Sequence, residues 1–192
     1  MHREPGIFQA YLTRLAATAA GADLEAIERL AQAILQAWRT RKAVYLCGNG
    51  GSAGNAAHLA NDYLAAMGKG ERPGIRAHAL SANPAVLTCL GNDIGYDRIY
   101  AQQVHSLGEP GDLLIVFSGS GNSPNVVEAL KVAKARGMVT VAVTGYSGGA
   151  CRTLADIPVH FPVDDMQIAE DMQLVVGHMI MQWLSANAPA SL

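Results

Sequence analysis

The chain has 192 residues, half of them apolar and only 16% charged, which excludes an intrinsically disordered protein and suffices for one buried core. A net charge of −2 without a basic cluster argues against direct nucleic-acid binding, and the apolar runs fall short of a membrane span. Cys47, Cys89 and Cys151 form neither a disulfide framework nor a Cys-x-x-Cys pair, and Met1-His2-Arg3-Glu4-Pro5 is unlike a signal peptide, so the expected compartment is reducing and cytoplasmic.

Taken in chain order, helical periodicity marks residues 7–20 and 24–38, with Asp23 placed to cap the second helix. Strand-like runs follow at 44–47, 75–80, 113–117, 139–143 and 157–161. Helical patterns fill the gaps at 52–67, 83–90, 98–107 and 123–136, with a short turn or helix at 149–155. A long helix from 166 to 185 and a short tail complete the chain. The alternation predicts one α/β domain over 1–192, a doubly wound parallel sheet with right-handed crossovers. Residues 41–186 form its core. The leading helices (1–40) have no obvious place in the sheet's layers and read as an oligomerisation arm, in keeping with the low charged fraction. Cys47 and Cys89 read as small core residues.

The first strand runs into Gly48-Asn49-Gly50-Gly51-Ser52-Ala53-Gly54, a glycine-rich turn with a helix opening at Ser52. Such a turn gathers free backbone N–H groups at the positive end of a helix dipole and suits an anion. It is neither a dinucleotide fingerprint nor a P-loop. The third strand runs into Ser118-Gly119-Ser120-Gly121-Asn122-Ser123-Pro124, where Ser123 stands at an N-cap and Pro124 at the first helical position. A serine turn of this kind alone is as well explained by capping. Two such loops at the carboxyl ends of parallel strands instead point to a phosphate-bearing small molecule.

His58 and Asp62 lie four apart and share one helix face, as a metal-ligand pair, an acid/base pair or merely a local contact. The last helix carries Gln167, Glu170, Asp171, Gln173 and His178. Glu170 and His178 are separated by about 12 Å of rise and about 80° of rotation, and Asp171 aligns with His178 slightly better, so the helix alone does not choose between the acids. His178 stands in an apolar run and needs a partner, which for a buried ring is a backbone carbonyl. Gly91-Asn92-Asp93 reads as a helix C-cap and loop that sets Asn92 and Asp93 against sugar hydroxyls or is a plain turn. Met166, Met172, Met179 and Met181 read as core or interface.

Together these motifs, in this order and spacing over nearly the whole chain, resemble the sugar isomerase (SIS) domain family and its bacterial phosphoheptose isomerase branch. The resemblance implies a flavodoxin-like, five-stranded SIS fold and conversion of sedoheptulose 7-phosphate to D-glycero-D-manno-heptose 7-phosphate through an enediol, a step toward lipopolysaccharide heptose. It also implies a homotetramer with active sites between subunits and one zinc per subunit. By that resemblance Ser52, Ser118, Ser120 and Ser123, with Gly119, hold the phosphate, and Asn49, Gly50, Gly51, Asn92, Asp93 and Glu170 line the sugar. His58, Asp62, Glu170 and His178 take the metal positions, with Asp62 as base and His178 as proton shuttle.

Two positions depart from the family's pattern. Asp62 stands for the usual glutamate and is one methylene shorter. Glu170 stands for the usual glutamine and adds an anion that would complete a two-His, two-carboxylate set, a compensating pair. Two other functions compete: a non-catalytic phosphosugar-binding protein, such as a replication-initiator-associating regulator, and a transcriptional sugar-phosphate sensor. The acid and both histidines favour the enzyme over the first; no attached helix-turn-helix supports the second.

Overall fold

The structure is a computed structural model and describes residues 6–68, 70 and 72–189; the expectations attached to residues 1–5 and 190–192 lie outside the described residues. Five parallel strands, β1 (Ala43–Cys47), β2 (Arg76–Ala79), β3 (Leu113–Ser118), β4 (Val139–Thr144) and β5 (Ile157–His160), stand in the order β2-β1-β3-β4-β5. This is the flavodoxin-like order, whose switch point falls between β1 and β3. The predicted strands match within one or two residues, because Val, Ile, Leu and Phe runs buried on both faces leave little freedom in placing a central strand.

The pleat divides each strand between two cores. Val44, Leu46, Leu113, Ile115, Phe117, Val141 and Val143 face one layer, and Ala43, Tyr45, Cys47, Leu114, Val116 and Ala142 face the other. On the first side lie α2 (Leu24–Arg39), α3 (Gly51–Asn61) and α8 (Met166–Ala186), through Leu30, Ile34, Leu59, Met172, Val176 and Ile180. On the second lie α5 (Ile99–Leu107), α6 (Pro124–Ala135) and α7 (Gly149–Leu154), through Tyr100, Val104, Val126, Leu130 and Cys151. Leu114 is fully buried beneath α5 and α6, so Leu114→Ala would cost about 2–5 kcal/mol through lost burial and the cavity left behind. The outer strands are β2, only four residues long, and β5, which carries Pro158.

The helices differ from expectation in four places. The leading helices part company: α2 buries eight residues and belongs to the first layer, whereas α1 (Ile7–Ala20) buries none and exposes Ile7, Phe8 and Leu12. The helix expected over 52–67 starts one residue earlier, at Gly51 with Gly50 as N-cap, and leaves the α form at Asp62, where a π turn runs to Ala66. There the Tyr63 carbonyl accepts from the Ile75 N–H at 3.1 Å, tying the turn to the approach of β2. The helix α4 (Pro84–Asp93) runs through the expected loop at 91–93, because the glycine with left-handed backbone is Gly95 (φ +96°), not Gly91. Because α4 buries none of its residues, Cys89 is exposed rather than in the core; its thiol meets Asp93 Oδ2 at 3.4 Å. No helix among the described residues is long and apolar enough to cross a membrane.

Candidate active site

Both glycine-rich loops leave the carboxyl ends of adjacent strands, β1 and β3, and line one cleft of about 300 Å³. Asn49, Gly50, Gly51 and Ser52 form one wall, and Ser118, Gly119, Ser120 and Ser123 the other, with Phe117, Met166 and Glu170 closing it. In the second loop, Ser118 Oγ accepts from the Gly121 N–H at 3.1 Å and Ser120 Oγ from the Asn122 N–H at 3.3 Å. Each hydroxyl oxygen is thus held by a backbone donor while its own proton stays available to an acceptor. Ser123 occupies the N-cap of α6 as expected, yet its side chain makes no cap bond, which leaves that hydroxyl to a ligand as well. Three O–H donors thus converge at the start of a twelve-residue helix, an arrangement chemically suited to an anion.

The first loop already holds an anion from within the chain. Glu170 Oε1 accepts from the Ser52 N–H at 3.0 Å and meets Ser52 Oγ at 3.3 Å. A Cβ on Gly51 would lie 2.3 Å from Glu170 Oε2, so only glycine lets the carboxylate close on the helix start. Gln173, 1% exposed, fixes Ser52 from behind by donating to its Oγ at 3.0 Å, and Gln173 in turn accepts from Asn55 at 2.9 Å. The choice between the two acids of α8 is thereby made. Glu170 faces the glycine loop, while Asp171 accepts from the Tyr11 hydroxyl on α1, a bond that with partial burial pushes that phenol up to about 12.

About two turns further along α8, His178 leaves the apolar stripe and is exposed, not buried. Its Nε2 stands 3.0 Å from His58 Nε2 and 3.7 Å from Asp62 Oδ2, and His58 Nε2 is 3.3 Å from the same carboxylate oxygen. The π turn begins at Asp62 itself. A tetrahedral zinc with bonds of about 2.0–2.1 Å places its ligand atoms about 3.3 Å apart. The three observed separations bracket that value, so the donor set fits a divalent metal with a fourth position open. Glu170 is not part of this cluster; its carboxylate is spent on Ser52.

The remaining expected residues stand apart. Asn92 and Asp93 end α4, bonded to each other at 2.8 Å, and do not line the cleft. That bond, with the Cys89 thiol, holds the Asp93 carboxyl below the usual range. Two further histidines, which carry no expectation of a role in the site, also lie away from the cleft: His78 stacks on Tyr45, and His160 meets the Thr144 hydroxyl. Asn55, Tyr96 and Asn125 also serve the site, through bonds to Gln173 and Asn49, without any local signal in the sequence; they sit in ordinary helix and turn contexts.

Residues 7–145 match the SIS domain family. A phosphoheptose isomerase of Burkholderia pseudomallei is 39% identical over 157 residues, covering 82% of this chain and 79% of its own. One from Nitratidesulfovibrio vulgaris is 40% identical over 156 residues, covering 81% and 74%. Among solved structures, the phosphoheptose isomerase of Neisseria gonorrhoeae superposes with a TM-score of 0.85 at 30% identity, over 92% of this chain and 94% of that one.

Proposed function

The chain belongs to the SIS domain family, and from that premise we propose that it is a phosphoheptose isomerase, an aldose–ketose isomerase acting on sedoheptulose 7-phosphate. The single observation that carries this reading is one helix, α8, with Glu170 at the cleft between the two glycine-rich loops and His178 in the His58–Asp62 cluster. The two are about 12 Å apart along the helix, a distance that suits a long open-chain sugar phosphate better than a triose.

In this reading Ser118, Ser120 and Ser123 anchor the phosphate with the amides of the second loop, and Asn49, Gly50, Gly51, Ser52 and Glu170 contact the chain of hydroxyls. Asn92 and Asp93 complete the sugar site from α4 in an assembled homotetramer whose active sites lie between subunits. The exposed apolar residues of α1 support that assembly. Asp62 takes the proton from the carbon beside the carbonyl. Its Oδ2 faces the histidines, while Oδ1 makes only a long 3.4 Å contact to the Asn61 amide and stays able to accept. His178 delivers a proton to the carbonyl oxygen and takes the one on the neighbouring hydroxyl, while Asp62 returns its proton to the former carbonyl carbon, which completes the exchange between ketose and aldose. Zinc, held by His58, Asp62 and His178, would supply positive charge to stabilise the developing oxyanion. Glu170 would join that set only by leaving Ser52. An enzyme of this kind serves heptose synthesis for lipopolysaccharide and works in the cytoplasm.

The test is incubation with sedoheptulose 7-phosphate, with the aldose product followed by NMR and zinc measured on protein purified without chelator. Formation of the heptose aldose, lost in Asp62→Asn and His178→Ala, is the expected result. Binding without turnover at added zinc would instead identify a phosphosugar-binding module.

A further inference from the structure

We propose that Asn125 is a positioning residue that turns Asn49 into a single hydrogen-bond donor facing the phosphosugar cleft. The inference rests on the isomerase reading of that cleft and adds a residue to it that touches no substrate.

Asn125 is 1% exposed at the start of α6; it does not line this cleft, which Asn49 does, but borders the adjoining hollow that it shares with Asn49, Tyr96 and Ser123. Their amides exchange two hydrogen bonds, Asn125 Nδ2 to Asn49 Oδ1 at 2.7 Å and Asn49 Nδ2 to Asn125 Oδ1 at 2.9 Å. Such a pair could be turned over as a unit, exchanging donors and acceptors, unless something outside it sets the direction. Here the Val126 backbone N–H does so. It donates to Asn125 Oδ1 at 3.0 Å, and the reversed amide would put an NH₂ group against that N–H.

With Asn125 fixed, the inventory of Asn49 follows. Its Oδ1 has two lone pairs, one taken by Asn125 and the other by the Tyr96 hydroxyl at 3.1 Å. Its Nδ2 has two protons, one given to Asn125. What is left is one N–H. The cleft therefore meets at Asn49 a donor with no accepting capacity. The substrate group there must present a lone pair, as a carbonyl oxygen or a hydroxyl whose proton points elsewhere. Such a donor gains strength as negative charge grows on the oxygen it touches. The same pair ties the first glycine loop to the helix that anchors the phosphate, so phosphate and sugar contacts are set relative to each other by one buried amide.

A double-mutant cycle tests this. Asn49→Ala, Asn125→Ala and the double variant are compared for kcat/KM and for the Kd of sedoheptulose 7-phosphate by calorimetry, with Tm alongside. Each single change is expected to lower kcat/KM about tenfold, the scale of one hydrogen bond. In the Asn49→Ala background, Asn125→Ala is expected to cost no further activity while still lowering Tm through the lost Val126 contact. A merely structural Asn125 would cost the same factor of activity in both backgrounds, and that result, or no effect in the parent, overturns the proposal. If Asn125→Ala does not fold, Asn125→Asp enters the cycle, since it keeps the shape and the Val126 acceptor but has no donor for Asn49. A parent protein that binds without turnover breaks the isomerase reading instead and leaves the cycle readable in Kd.

Discussion

The cleft and the His58–Asp62–His178 cluster sit on the same two helices, α3 and α8, yet are built by opposite means. In the cleft, serine oxygens are held by backbone amides, Ser52 is braced by Gln173, and Glu170 already fills the first helix start. In the cluster, two imidazole nitrogens face each other beside one carboxylate, and the histidine side chains are 48% and 47% exposed. The cleft is organised before anything binds. The cluster converges three acceptor-bearing atoms that only a proton or a cation reconciles. Binding and chemistry should therefore separate under mutation.

The hardest blow to that separation comes at the cluster. Asp62→Asn or His178→Ala is expected to reduce turnover by about 10²–10⁴-fold, as for loss of a general base or acid, while sedoheptulose 7-phosphate binding holds within a few-fold by calorimetry. Equal losses in both quantities would mean that the two regions are one. Next, Ser123→Ala removes a hydroxyl with no internal duty, so KM should rise roughly ten- to a hundredfold at nearly unchanged kcat, the scale of a hydrogen bond to a charged group.

A smaller effect is expected at Glu170→Gln. The amide oxygen still accepts from Ser52, but the anion beside the phosphate is gone, so KM should fall a few-fold in steady-state assays at low salt. A rise would show that the carboxylate itself is used. The smallest effect tests the helix the two regions share. Asp165 caps α8 through the Gln167 and Ile168 amides and pairs with Arg14 at 3.0 Å. The Arg14 bond and the cap hold its carboxyl below the usual range. A depressed folded value stabilises the protein above the ordinary carboxylate range, and the gain is lost as the pH falls through the folded value. Asp165→Ala should thus lower Tm at neutral pH, and melting curves of parent and variant should converge in acid below about pH 4.

The same contrast explains what was legible in the sequence. The strands, the two loops and the i, i+4 pair at His58 and Asp62 are local patterns and could be read directly. So could most helix bounds, because Asp23, Asn83 and Asp165 supply side-chain caps. The partner of His58 lies 120 positions away, and no wheel drawn on α8 says that His178 turns outward while Val176 and Ile180 turn in. Nor could periodicity show Glu170 closing on Ser52, since by angle Asp171 aligns with His178 slightly better. The π turn at Asp62 and the continuation of α4 to Asp93 depend on tertiary bonds and on Gly95 two residues further on, beyond any local rule.

One feature of the sheet bears on how copies of this chain meet. Its outer strands are β2, four residues long, and β5, where Pro158 has no N–H to offer a neighbour. Both margins are thereby poor templates for another strand. Sheet-to-sheet growth, the route to fibres and runaway aggregation, is discouraged at each side, and any association between copies is left to the helical faces, where closed and countable contacts are the natural outcome.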